Sequence, residues 1–229
     1  MRRLVLALVA LLLAALVATL PMRLALGLAG VERGGLAIGS VEGSIWGATL
    51  TDIRYGPVAL GDARAALSPW RLMVGEARLA LRASGADLAL VNGLWGRGLD
   101  APAATLSTGA LFAPLPVRQL ELVGLSVRFA GGRCARATGQ VSARVDGEIA
   151  GIALPQALSG TARCSDGALL LPLASAGGQE KLTLTIARDG TFRAVLDLQP
   201  GDGQAAARLA GAGFQSIGSG YRLSAQGRF

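Results

Sequence analysis

The chain opens on an unbroken apolar block and then changes period. Leu4 to Leu20 (LVLALVALLLAALVATL) is seventeen residues without a charge, with Thr19 its only polar side chain. At ~1.5 Å per residue a helix over this stretch reaches roughly 25 Å, near the lower limit for a bilayer's hydrocarbon core. Arg2 and Arg3 precede it and Pro21 follows. A cleaved secretory signal shares the basic start and apolar middle, but its apolar part runs about 7–15 residues before a small-x-small cleavage site. Leu16-Val17-Ala18 puts leucine where a small residue is needed, so residues 1–21 read as a retained transmembrane anchor. The positive-inside rule keeps Arg2 and Arg3 in the cytoplasm and sends the remainder across the membrane. Either reading exports the body.

Residues 22–39 read as a juxtamembrane link in which Gly34-Gly35 interrupts any continuing helix. From residue 40 to 229 the pattern is that of strands. Val41–Gly47 leads into Ala48–Tyr55, Gly56-Pro57 is a turn, and Val58–Ser68 follows. In Glu76–Ala83, Ala77, Leu79, Leu81 and Ala83 alternate with Glu76, Arg78, Ala80 and Arg82, the period of a sheet with one buried face. Leu125, Val127 and Phe129, then Val141, Ala143 and Val145, then Leu182, Leu184 and Ile186 repeat it. Arg188-Asp189-Gly190-Thr191 predicts a tight hairpin into Phe192–Leu198. A last hairpin is predicted between Ala205–Leu209 and Tyr221–Ala225. After the anchor no stretch sustains a 3.6-residue period, and Pro69–Gly75 predicts one helical turn at most. The fold class is therefore mainly β: an N-terminal transmembrane helix, then a curved antiparallel sheet as groove, half-barrel or sandwich. A composition shift at Asp100-Ala101-Pro102 and Pro114–Pro116 marks a soft internal boundary near residues 100–116.

Composition agrees with many short strands and tight turns. Of 229 residues 33 are glycine, about twice the usual ~7 %, while hydrophobic residues make up 52 % and aromatics 4 %. Beyond the anchor, twenty basic and fifteen acidic residues leave a net charge of +5. All but Lys181 of the basic residues are arginines scattered singly among apolar neighbours, as on the solvent face of strands. No basic run carries interleaved aromatics, which argues against nucleic acid as a partner.

Cys134 and Cys164, exported to an oxidising compartment, predict a disulfide. Two thiols and no histidine cannot complete a tetrahedral zinc site without carboxylates. Without histidine the commonest general base is missing too. Asp166-Gly167, Asp189-Gly190 and Asp202-Gly203 have turn chemistry as their natural explanation. The glycines have no Walker or dinucleotide spacing, and a serine–lysine pair would rest on the solitary Lys181. Neither a catalytic constellation nor a cofactor site emerges. Trp46, Trp70 and Trp95 each adjoin Gly or Pro. They read as rings covering gaps at bends, or as contacts to a partner or to the bilayer interface.

Several motifs carry a family resemblance. The anchor is followed by Val41-Glu42-Gly43-Ser44-Ile45-Trp46-Gly47, then by Leu67-Ser68-Pro69-Trp70-Arg71-Leu72. The second half holds Cys164-Ser165-Asp166-Gly167-Ala168-Leu169-Leu170-Leu171-Pro172-Leu173 and ends in Gly220-Tyr221-Arg222-Leu223. Together they resemble the type II secretion system protein N family of Gram-negative bacteria. That resemblance implies a non-enzymatic inner-membrane component with its main domain in the periplasm. Its implied partners are other inner-membrane or periplasmic secretion proteins, whose task is export of folded proteins across the outer membrane. The first segment, Val41–Leu81, is also similar to AsmA- and TamB-like envelope proteins, which implies as an alternative a β groove holding lipid. Leu79, Leu81, Leu125, Val127, Phe129, Val141 and Val145 would line it.

Overall fold

The computed structural model describes residues 2–29, 36–55, 58–94, 96–145, 147–149, 152–199, 205–218 and 220–228. The apolar block forms helix α1 (Arg2–Ala18), seventeen residues long. Among the described residues no helix is long and apolar enough to cross a membrane. Leu4, Leu8, Leu11, Leu12 and Leu16 of α1 are all exposed. Within the stretch expected as a link, α2 (Met22–Ala29) forms and buries Met22.

Eighteen strands follow among the described residues, and nearly all belong to one sheet. The first group is β1 (Leu36–Ala37), β2 (Ser40–Ser44), β3 (Gly47–Tyr55), β4 (Val58–Leu67), the short helix α3 (Pro69–Met73), β5 (Glu76–Ala83) and β6 (Ala86–Gly93). Next come the long strands β7 (Gly96–Ser107), β8 (Val117–Ala130) and β9 (Arg133–Val145), and the small hairpin β10 (Glu148–Ile149) and β11 (Ile152–Ala153). The chain closes with β12 (Ala157–Thr161), β13 (Arg163–Ser165), β14 (Ala168–Ala174), β15 (Glu180–Ile186), β16 (Thr191–Leu198), α4 (Ala205–Gly211), β17 (Gln215–Ile217) and β18 (Gly220–Arg228). The sheet runs β1-β3-β4-β5-β6-β7-β8-β9-β12-β14-β15-β16-β18-β17, with β2 added on β3 and β13 on β14. Every pairing is antiparallel, and none among the described residues joins the first strands to the last. The sheet is open: neither a closed barrel nor two stacked sheets.

The alternation read from sequence decides which face is buried. Leu169, Leu171 and Leu173 of β14, Leu182 and Leu184 of β15, and Phe192, Ala194, Leu196 and Leu198 of β16 all join one core. That core extends through Leu125, Val127, Val141 and Ala143 to Ala101 and Ala86. A smaller core gathers Met22, Ile45, Ala48, Leu50, Ile53, Ala63 and Ala65, with Leu79 and Leu81 packed on it. The segment between β7 and β8 folds over the buried face: Phe112 meets Phe192 edge-on at 5.2 Å between ring centroids. Phe192 sits on β16, five strand positions from β8. In a flat sheet that separation is about 24 Å, so the contact requires a curled one.

Two expectations change. Ala205–Leu209 is not a strand but most of α4, and Tyr221–Ala225 pairs instead with β16 and, at Tyr221 and Arg222, with β17. Three alanines followed by arginine and leucine favour helix strongly, and the helix sends Leu209, fully buried, into the core. Asp100, Ala101 and Pro102 lie inside β7, and the loop there runs only from 108 to 116. The turn expected at Gly56-Pro57 lies outside the described residues.

The buried face also depends on a phase shift within β8. Leu122 and Leu125 are both buried while Val123 is exposed, because the β8–β9 register slips between Val123 and Ser126. Gly124 (φ 61°) and its neighbour Gly139 (φ 115°) make the bulge, and a Cβ on Gly139 would lie 2.5 Å from the Leu125 Cα. Gly139→Ala should therefore cost more than about 2 kcal/mol in denaturant unfolding. Gly147→Ala, where a Cβ meets nothing within 4 Å, should stay within about 0.5 kcal/mol.

Candidate functional site

The most elaborate polar arrangement lies on the sheet face opposite the large core. Asp100 on β7 stands opposite Ser126 on β8, whose flanking residues Leu125 and Val127 point into the core. The Arg128 guanidinium grips the Asp100 carboxylate with two parallel bonds, Nη1 to Oδ1 at 2.7 Å and Nη2 to Oδ2 at 2.9 Å. Ser126 Oγ donates to Oδ1 at 2.8 Å, and Arg78 reaches Oδ2 from β5. Gly98 makes the approach feasible, since a Cβ there would fall 2.6 Å from the Arg128 Cδ. The carboxylate thus accepts from three side chains, and these hold its pKa far below the usual value against the opposing effect of burial. Arg128 is raised in turn, chiefly by its bond to Asp100. A carboxylate engaged this way has no free basicity for proton transfer. The cluster ties β5, β7 and β8 together across the face that the core does not reach.

Other charges on that face form simple cross-strand pairs, as scattered strand arginines should. Arg144 bonds Glu121 at 2.8 Å, and Arg222 bonds Asp197 at 2.6 and 2.9 Å. Lys181 is exposed on β15. Asp166 turns at φ 52°, and Asp189 caps its hairpin by accepting from the Thr191 backbone at 3.0 Å and hydroxyl at 2.7 Å. Asp202-Gly203 lies outside the described residues.

Cys134, at the start of β9, and Cys164, on β13, form the predicted disulfide. It closes a 30-residue separation and fastens β13 against β9, beside the bond from the Cys134 N–H to the Gly167 carbonyl.

The tryptophans part ways. Trp46, half-buried in the β2–β3 turn, donates its indole N–H to the Val17 carbonyl of α1 at 3.2 Å. Around it the Ile45 N–H bonds the Leu20 carbonyl, the Leu67 N–H bonds the Ile45 carbonyl, and Pro21 bridges Ser44. The end of α1 is thereby seated on one end of the sheet. Trp70, on α3 at that same end, is 76 % exposed. Trp95 lies outside the described residues. No sequence signal pointed to Asp100: its partners sit at ordinary polar positions of two other strands, β5 and β8, and only the register brings them together.

The residues named as a lipid-lining face are occupied by the chain itself. Leu125, Val127 and Val141 are buried, Phe129 and Val145 pack on the same core, and Phe112, Leu209 and Phe214 fill in from loop and helix. Among the described residues no group of three or more His, Cys, Asp or Glu is placed to hold a metal ion.

A family model described as "Type II secretion system (T2SS), protein N" matches residues 34–224. No curated protein and no solved structure matches the chain.

Two outcomes follow from this geometry. Cys134→Ser should lower stability by about 3–4 kcal/mol, and thiol labelling of the unfolded, unreduced wild type should find no reactive cysteine. Because the Asp100 pKa is depressed on folding, its contribution is complete above its unfolded value of about 4 and is lost as pH falls below it. The gap in denaturant midpoint between wild type and Asp100→Asn should accordingly hold steady from pH 5 to 8 and shrink below pH 4.

Proposed function

The chain belongs to the type II secretion system protein N family, and from that premise we propose that it is a non-enzymatic, membrane-anchored part of the secretion machinery. In this reading α1 is retained in the inner membrane with Arg2 and Arg3 on the cytoplasmic side. The sheet stands in the periplasm and offers its surface to other inner-membrane or periplasmic components, assisting export of folded proteins across the outer membrane. The family match over residues 34–224 carries the reading.

The physical chemistry of the chain supports it. Leu4, Leu6, Leu8, Leu11, Leu12 and Leu16 of α1 are exposed, and such a helix needs an apolar surrounding that the β body does not supply. At ~25 Å it is short for a bilayer, a mismatch that flanking arginines relieve by reaching for the interface. Anchoring raises the effective concentration of the sheet for partners held in the same membrane. Lipid carriage is the weaker reading, since the chain's own side chains fill the curled face.

Two measurements test the proposal. Deleting the gene in its host should leave type II substrates in the periplasm, and the full chain should restore secretion; undiminished secretion after deletion refutes the role. Amino-terminal sequencing of the membrane fraction should find the segment before Pro21 intact, and a mature start between Ala18 and Gly30 refutes the anchor.

A further inference from the structure

In an antiparallel sheet of hairpins the connections alternate between two ends. The end on which α1 is seated carries the β2–β3 turn, α3 with its following turn, and the β6–β7 turn. Two of these connections, α3 with its following turn and the β6–β7 turn, are unusually apolar. Trp70 is 76 % exposed, Met73 78 %, Val74 73 % and Leu94 84 %, and Leu72 is exposed beside them. They form one surface, because Leu94 Cδ1 lies 3.2 Å from where a Cβ on Gly75 would stand. None of the α3 residues is buried against the body.

Next to Leu94 opens a cleft of about 320 Å3 whose charged residues are Arg97 and Arg188, both exposed; among the described residues no carboxylate lines it. The backbone fixes how far this surface lies from α1. Leu20 is bonded to Ile45, Ile45 to Leu67, and α3 begins two residues later at Pro69. If α1 lies in a bilayer, Leu20 is at its interface and α3 is beside it.

We propose that Trp70, Leu72, Met73, Val74 and Leu94 form a membrane-docking tip. It dips into the leaflet where α1 emerges, while Arg97 and Arg188 meet the phosphates of anionic phospholipids. This rests on the reading of α1 as a retained anchor. An indole and aliphatic side chains with arginines behind them match the chemistry of the bilayer interface, where aromatic rings settle at headgroup depth and cations meet anionic lipid. The tip gives the body a second attachment and sets its orientation to the membrane, where a single helix alone would leave it free to swivel.

The test uses the full chain in phosphatidylcholine–phosphatidylglycerol vesicles. Met73→Cys carries a polarity-sensitive fluorophore; the native cysteines are joined to each other and do not compete for the label. Ala176→Cys, exposed in the β14–β15 turn at the far end, is the control. The expected result is blue-shifted emission at position 73, quenched by brominated acyl chains, and aqueous, unquenched emission at 176. Replacing phosphatidylglycerol by phosphatidylcholine, or substituting Arg97→Ala with Arg188→Ala, should reduce the quenching at 73. Aqueous emission at 73 from chain that floats with the vesicles overturns the tip and leaves the anchor standing. Chain that does not float overturns the anchor and the tip with it. A single-tryptophan chain keeping only Trp70 (Trp46→Phe, Trp95→Phe) reads the same depth without the label, and unquenched Trp70 emission overturns the proposal again.

Discussion

A one-layer sheet must bury its apolar face with nothing stacked against it, and the rest of this structure answers to that constraint. Past α1 and α2, nothing among the described residues larger than the two-stranded β10–β11 hairpin and the short α4 accompanies the sheet, so the sheet curls and its own side chains meet across the concavity. Curling leaves the interior short of filler near the ends, and the loop between β7 and β8 supplies Phe112 and Leu115 while α4 and the segment after it supply Leu209 and Phe214. Small residues at inward positions, among them Ala101, Ala143 and Ala194, let the strands approach closely enough for this to close. A sheet that consumes its concave face in this way has little room for cargo, and its free surfaces are the outer face and the two ends.

The outer face and the ends are built differently. On the outer face, charged side chains pair across strands, and the Asp100 cluster is the strongest of these ties because its carboxylate is half-buried and accepts from Arg128, Ser126 and Arg78. Its location is mechanically sensible: it spans β5 to β8, where the small core beside α2 passes over to the large one. The disulfide performs a corresponding task further along, holding the short β13 to the start of β9. The end near α1, by contrast, leaves large apolar side chains exposed. That apolar exposure lies beside α1, whose described leucines are exposed as well.

The sequence by itself determined the class of the fold and much of its detail. Period-2 alternation sufficed for β5, whose observed span Glu76–Ala83 is the one expected, and for the β15–β16 hairpin, because a side chain's face in a strand depends only on parity. The cysteine pair was legible because two lone thiols, in a body read from its sequence as exported, have little else to do. Tertiary structure decided what parity cannot carry across a break. The bulge at Gly124 and Gly139 moves the buried set of β8 by one residue; the glycines permit it, but only the pairing of β8 with β9 makes it. In Ala205–Gly211 the helix propensity of three alanines, arginine and leucine outweighs a weak alternation, and packing then buries Leu209 in the core. The Asp100 cluster exists only once β5, β7 and β8 are in register, since its members are separated by 22 to 28 residues along the chain. Trp46 and Trp70 looked alike in sequence, each beside a residue that bends the chain. Only the seating of α1 on the β2–β3 turn made one a tie to the helix and left the other facing outward.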